Sequence, residues 1–174
     1  MRPKGPFRYF RIEGESIRFD PHDVVRVDAE IFEAEVRHRL ATRPIPVEAL
    51  EAFAAQLSRW APLLPGSPYE PWLIPHQERL RALYVEGAHA LAEEYLALGR
   101  PADAIVWAER VIEEAPWMEE SYQILMRAWA RMGLRGQALR VYEQAVEALR
   151  RELQASPSPL TRWLAQRLQR GEPI

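Results

Sequence analysis

A repeat of 34 residues constrains this chain more than any other feature of its sequence. A glycine after each first helical run predicts the end of that helix, because glycine readily takes the left-handed conformation found at helix C-termini. Each period therefore predicts two helices, A and B, separated by a glycine. The pairs that coincide at this shift are Leu91 with Leu125, Tyr95 with Trp129, Gly99 with Gly133, Ala104 with Ala138, and Val111 with Ala145.

A 34-residue period of two antiparallel helices is the tetratricopeptide pattern. Alanines 104 and 138 predict a close approach of helix B to helix A within each pair. Pro116 is expected to end the first B helix, whereas Arg150 stands at the same place in the second unit, so the second B helix should continue further. Because stacked repeats cannot bury their apolar faces singly, residues 29–60 are expected to supply one or two degenerate units.

The other segments also read as helices, apart from residues 7–19, which predict a β-hairpin turning at Gly14. Helices are expected to begin at Asp28, Pro46 and Pro75. A last one, from Ser158-Pro159, would turn four residues inward: Leu160, Trp163, Leu164 and Leu168. The predicted fold is all-α, a tetratricopeptide-like stack of helical hairpins over residues 23–174 that follows a short N-terminal β-hairpin within residues 1–22.

Composition narrows the function classes. The chain has no cysteine, which excludes disulfides and thiolate chemistry, and neither a signal-like start nor a long apolar run, so a cytoplasmic protein is expected. The net charge of -2 argues against a uniformly basic nucleic-acid binder. The charge is uneven, however: residues 121–174 carry nine Arg against four Glu, and the preceding part is acidic. Such asymmetry fits self-association or an acidic partner, or simply solvated helix faces.

Catalytic and cofactor motifs are missing from the sequence. The four histidines have no metal-ligand spacing, and the Asp20, His22 and Asp23 group fits an Asx turn better than a metal site. Glu113, Glu114 and their neighbours flank Pro116 in what should be a wet loop, which is unsuited to acid–base catalysis. No phosphate-binding glycine loop or nucleophile elbow occurs. The sequence predicts a non-enzymatic protein with no metal and no cofactor.

The remaining candidate sites are surfaces. Side chains of the A helices that point away from the B helices line the concave face of such stacks, and here they would bind a polar peptide through Glu86, His89, Glu93, Gln123, Arg127 and Arg131. An equally weighted alternative is that helix 159–169 or a second copy of the chain fills this face. A second candidate is self-association through the apolar residues of the hairpin, which are Phe7, Tyr9, Phe10, Ile12, Ile17 and Phe19.

Three stretches carry a resemblance to a known family. The segments "PYEPW" before "ERLRALY", then "EESYQILMRAW", and finally "YEQAVEALRRELQASPSPLTR" resemble the bacterial transcriptional activator domain found in SARP-type regulators. The similarity extends over about residues 24–170. It departs from the family pattern at Gln154-Ala155, where Gly-Val is common, and this change predicts a slightly longer helix.

The resemblance implies a regulatory role. In such regulators a winged-helix DNA-binding domain precedes this one, and residues 7–19 resemble its final hairpin, without the helix that enters the major groove. The resulting expectation is a protein-interaction and oligomerisation module that binds transcription machinery or another regulator, forms a homodimer, and binds neither membrane nor specific DNA sequence. Two alternatives remain: a DNA-binding regulator that uses Arg8, Arg11, Arg18 and the C-terminal arginines, and a helical scaffold unconnected with transcription.

Overall fold

The computed structural model describes residues 10–13, 16–19, 28–61 and 71–174. Strands β1 (Phe10–Glu13) and β2 (Ser16–Phe19) pair antiparallel, with Phe10 opposite Phe19 and Ile12 opposite Ile17. The predicted hairpin is therefore present. Its turn glycine, together with Phe7 and Tyr9, lies outside the described residues, and β1 and β2 are described by their backbone alone.

The remaining described residues form seven helices. After α1 and α2, the chain forms two helical pairs, α3 with α4 and α5 with α6. The last helix, α7, packs on both α5 and α6. The helices are α1 (Asp28–Ala41), α2 (Val47–Leu57), α3 (Ile74–Ala97), α4 (Pro101–Glu114), α5 (Glu119–Arg131), α6 (Arg135–Leu153) and α7 (Pro159–Arg170). The fold is the predicted all-α stack of helical hairpins, and α1 and α2 form one degenerate unit against α3.

The two repeat glycines end their helices by the same geometry. Gly99 has φ +71° and Gly133 has φ +75°, and no side chain or backbone crowds either one. Immediately after them, the amide of Arg100 donates to the carbonyl of Tyr95 and that of Leu134 to Trp129, each at 2.9 Å. This six-residue closure is the Schellman motif, which requires a left-handed residue. The glycines are therefore needed for backbone conformation and not for space.

Small residues set the distance between helices A and B. Ala104 and Ala138 have no solvent exposure, and neither do Ala108 and Ala145 on the same two B helices. At α2 the close approach comes from the partner helix, because a Cβ placed on Gly87 of α3 would meet Phe53 and Leu57 at 3.2 Å. The core thus runs continuously from the degenerate unit through both repeats.

Helix α7 departs from the prediction on one face. Its buried residues are Thr161, Leu164, Ala165 and Leu168, whereas Leu160 and Trp163 are 45% and 46% exposed. Trp163 occupies the repeat position of Trp129, which is partly buried against the core in a pair that its B helix, α6, completes. Among the described residues no such helix follows α7, so the expectation that Trp163 is a core residue is wrong. The predicted start of α7 is correct, since the Ser158 Oγ caps it by accepting from the Thr161 amide.

Candidate functional site: the inner face of the helical stack

The stack closes on the side of its A helices and opens on the side of its B helices. Helix α3 contacts α5, and α5 contacts α7, whereas α4 and α6 do not contact each other although both are fully described. A groove of about 560 Å³ separates α4 from α6 and is lined by Ile112 on one side and by Arg140 and Glu147 on the other. The A helices therefore lie on the inner side of the curve, where the sequence places the candidate peptide site.

The repeat arranges the candidate residues in rows across this inner face, which we define by Glu86, His89 and Glu93 of α3 and Gln123, Arg127 and Arg131 of α5. A shift of 34 residues carries Glu86 to Glu120, His89 to Gln123, and Glu93 to Arg127. Corresponding residues of stacked repeats occupy equivalent positions on neighbouring helices. The acidic row formed by Glu86 and Glu120 therefore lies two helical turns from the row that contains Arg127.

His89 connects the two A helices. Its Nδ1 lies 3.1 Å from the Oγ of Ser121, and its Nε2 lies 3.7 Å from a carboxylate oxygen of Glu93. Burial lowers the pKa of His89, and Arg43 contributes to the lowering, while the carboxylates of Glu93 and Glu120 oppose it. His89 is therefore a largely neutral hydrogen-bonding residue at neutral pH and a fixed part of this face.

Glu93 forms an ion pair with Arg43, a residue that the sequence alone did not place on this face. Arg43, in the connection between α1 and α2, donates from Nη2 to Glu93 Oε2 at 2.7 Å, and its Nε lies 3.6 Å from Glu94. The Ile45 amide also donates to Glu94, at 3.1 Å. The degenerate unit is thus attached to the inner face by its loop. No matched repeat covers that loop, so periodicity alone could not have located Arg43.

Gln123 faces α7. It is 8% exposed, and its side-chain amide donates to the Oγ1 of Thr161 at 2.9 Å. At the same boundary, the Ser158 amide donates to the carboxylate of Glu119 at 2.7 Å. Around Gln123, helix α7 therefore covers the face, which is the arrangement that the sequence left open beside a peptide site. Glu86 and Glu93 lie on α3, which does not contact α7, whereas Arg127 follows Gln123 by four residues on α5.

Arg127 and Arg131 lie one turn apart on α5, beyond the paired carboxylates. Arg131 donates to the carbonyl of Leu96 at the end of α3. Arg127 is partly buried and makes no hydrogen bond or ion pair with any residue that the structure describes. Burial lowers the pKa of Arg127 and the positive charge of Arg131 lowers it further, while the carboxylate of Glu93 opposes the lowering. The row that begins with Glu93 therefore ends in a partly desolvated cation, and Glu93, the carboxylate that acts on it electrostatically, is also held by Arg43.

Neither a metal-ligand cluster nor a membrane-spanning helix occurs among the described residues. No group of three or more His, Asp or Glu side chains among them could hold a metal ion. None of the described helices combines the length and the apolar character that crossing a membrane requires. The inner face carries hydrogen-bonding groups and charges of both signs.

Comparison with known proteins gives partial matches in sequence and in structure. A hyaluronate lyase of Thermasporomyces composti is 32% identical over 75 residues, which is 43% of this chain and 9% of the lyase. The structure of Mycobacterium tuberculosis EmbR in complex with a low affinity phosphopeptide superimposes with a TM-score of 0.68 at 24% identity. That match covers 97% of this chain and 45% of EmbR, so the present chain spans less than half of either protein.

The EmbR likeness shows that the two chains share the fold of the helical stack. The short lyase match covers too little of that protein to carry its activity over. The profile of the bacterial transcriptional activator domain matches residues 27–169, from the first turn of α1 to the last turn of α7. The match agrees with the segments that carried the resemblance in the sequence. This chain belongs to the bacterial transcriptional activator domain family.

Proposed function

We propose that this chain is a cytoplasmic protein-interaction and oligomerisation module of a bacterial transcription regulator, and that it does not itself read a DNA sequence. The observation that carries the proposal is the inner face. A curved stack of the family's fold presents a charged surface whose acidic and basic parts are separated, and Arg127 on it lacks a partner among the described residues. The transcription machinery or another regulator is the expected partner.

The arrangement of the C-terminal arginines supports protein binding over DNA binding. A phosphate-binding surface needs guanidinium groups that are free to contact the backbone of the nucleic acid. Here Arg135 donates to the carbonyl of Gln169 and Arg162 to that of Pro157, while Arg167 lies 3.0 Å from Glu172. Arg150 and Arg151 are likewise close to glutamates. Arg135 joins α6 to α7, and the other four of these guanidinium groups already have a partner nearby in the chain.

Membership of the family argues against the third possibility, a scaffold unconnected with transcription.

A reporter assay tests the proposal directly. The chain is fused to an unrelated DNA-binding domain whose operator lies upstream of a weak bacterial promoter. We expect transcription to rise severalfold, to fall back for Arg127→Glu, and to persist for Arg140→Glu, which makes the same charge change outside the inner face. Equal transcription with and without the fused chain would contradict the proposal.

A further inference from the structure

We infer that the inner face binds an extended peptide with two opposite charges, an acidic side chain that pairs with Arg127 and a basic side chain about three residues away that faces Glu86 and Glu120. The inference deepens the proposed function and rests on it, because it states which kind of ligand the inner face would take. Three features of the face carry it: an unpaired guanidinium, a free acidic row, and the distance between them.

The guanidinium of Arg127 is the first feature. It is partly buried, yet it contacts no carboxylate among the described residues. Glu93 occupies the corresponding position on α3, but its carboxylate is held at 2.7 Å by Arg43. Arg131 adds a second positive charge and donates to a backbone carbonyl, so it does not neutralise the charge of Arg127. A charged donor that has already lost part of its hydration gains more from a carboxylate than an exposed one does, and the arginine fork binds that group bidentately.

The acidic row is the second feature. Glu86 and Glu120 occupy the same repeat position on α3 and α5, and both are exposed. Neither forms an ion pair with a described residue. Two carboxylates on neighbouring helices form a negative surface that is free for a basic side chain.

The third feature is the distance between the two charged patches, because it is short enough for one peptide to contact both. Glu120 and Arg127 are seven positions apart on α5, so they are separated by about 10 Å along the helix axis. An extended peptide advances about 3.3 Å per residue, so about three residues span this distance. Because α7 covers Gln123 between them on α5, the peptide would pass on the α3 side, over His89, and a base and an acid three positions apart would then each lie near its opposite charge. A run of charges of one sign would meet repulsion at one end.

The test uses the full 174-residue chain. A display library of random nine-residue peptides is selected on the wild-type chain, on Arg127→Glu, and on Arg140→Glu as the matched control. We expect the wild type and the control to enrich peptides with an acid and a base three positions apart by about tenfold over the unselected library. Arg127→Glu should lose that enrichment and favour a base at the former acidic position. Thermal melting of each variant establishes that the charge change leaves the fold intact.

Three results would overturn the inference. If the selected peptides bind without an acidic residue, Arg127 does not have the inferred role. An active reporter fusion would still support the interaction function in that case. A library that yields no enriched peptide would also contradict the ligand, and the reporter assay would again decide separately on the function. Finally, a dimer of the full chain that dissociates on Arg127→Glu would assign this face to a second copy instead.

Discussion

The Nδ1 of His89 on α3 lies 3.1 Å from the Oγ of Ser121 on α5, so one partly buried histidine joins the A helices of two successive repeats. Burial is the largest cause of its lowered pKa, and the nearby carboxylates of Glu93 and Glu120 offset it only in part. Protonation of His89 therefore opposes folding. Since the two repeats meet at this residue, we expect their stacking to weaken when it is protonated.

The first prediction concerns the stability of the fold in mild acid. An unperturbed histidine titrates near pH ~6.5, so below that value the unfolded chain binds a proton at this site more readily than the folded chain. The free energy of unfolding should therefore fall as the pH is lowered through about 6.5. His89→Gln, which can still bond to Ser121, should remove part of that fall. Urea unfolding measured at a series of pH values would show this.

Exposed His38 provides the matched control. His38→Gln should leave the wild-type pH profile of the unfolding free energy unchanged, because that side chain is not enclosed by the stack. If the profiles of His89→Gln and the wild type run parallel between about pH 7 and about pH 5, His89 contributes nothing to the pH dependence and the interpretation of its burial is wrong.

A second prediction tests the close approach of the paired helices. Ala104 and Ala138 are fully buried at equivalent positions of α4 and α6. Replacing either by Leu adds atoms to a contact without free space, which should lower the free energy of unfolding by roughly 1–3 kcal/mol. Ala102→Leu, at an exposed position of α4, should have little effect. Denaturant unfolding measures all three, and unchanged stability for both buried variants would contradict the assigned helix crossing.

The parts of the fold that repeat were predictable, because periodicity states a geometric relation directly. Gly99 and Gly133 ended their helices where the 34-residue shift placed them, and the buried alanines lay at the helix crossings. Trp163 shows the limit of the same method. Its position in the repeat was correct, but burial depends on whether another helix covers that position, and this is a tertiary property that local sequence does not contain.

The candidate site shows the same division. The A-helix residues could be placed on one face from spacing alone, but their partners could not be assigned. Arg43, which holds Glu93, comes from a loop with no repeat equivalent, and Gln123 is covered by Thr161 of α7. Both contacts join residues about 40 to 50 positions apart in sequence. What distinguishes Arg127 from its neighbours is therefore visible only in the folded chain.

A third prediction concerns the docking of α7. Gln123 donates to Thr161 at 2.9 Å in a buried contact. Changing one partner leaves the other unsatisfied away from water, so Gln123→Ala or Thr161→Val should each cost about 1–3 kcal/mol of unfolding free energy. The double variant should be less destabilised than the sum of the two, because the second change removes the orphaned group. A double-mutant cycle measures this coupling, and strict additivity would show that the two residues do not interact.

The fourth prediction is that the chain shows no sequence preference for DNA. Binding through surface arginines alone would be electrostatic, and such binding weakens steeply with salt. We expect any affinity for duplex DNA to be equal for unrelated sequences and to disappear near about 150 mM salt. Electrophoretic mobility shifts at increasing salt concentrations measure this. A footprint with a defined protected site at that ionic strength would contradict it and favour the DNA-binding alternative.

The last prediction is self-association through the N-terminal hairpin. The strand register pairs Phe10 with Phe19 and Ile12 with Ile17, so the four positions share one face of the two-stranded ribbon. Burying each such side chain contributes roughly 1.5–3 kcal/mol, and an open strand edge offers further backbone hydrogen bonds. We therefore expect a symmetric dimer, the commonest closed assembly. Sedimentation of the full chain should show it, and a chain that starts at Asp23 should be monomeric. Ile12→Asp should likewise weaken the dimer, whereas Arg11→Gln should preserve it. If the full chain and the shortened chain both sediment as monomers, the hairpin does not mediate association.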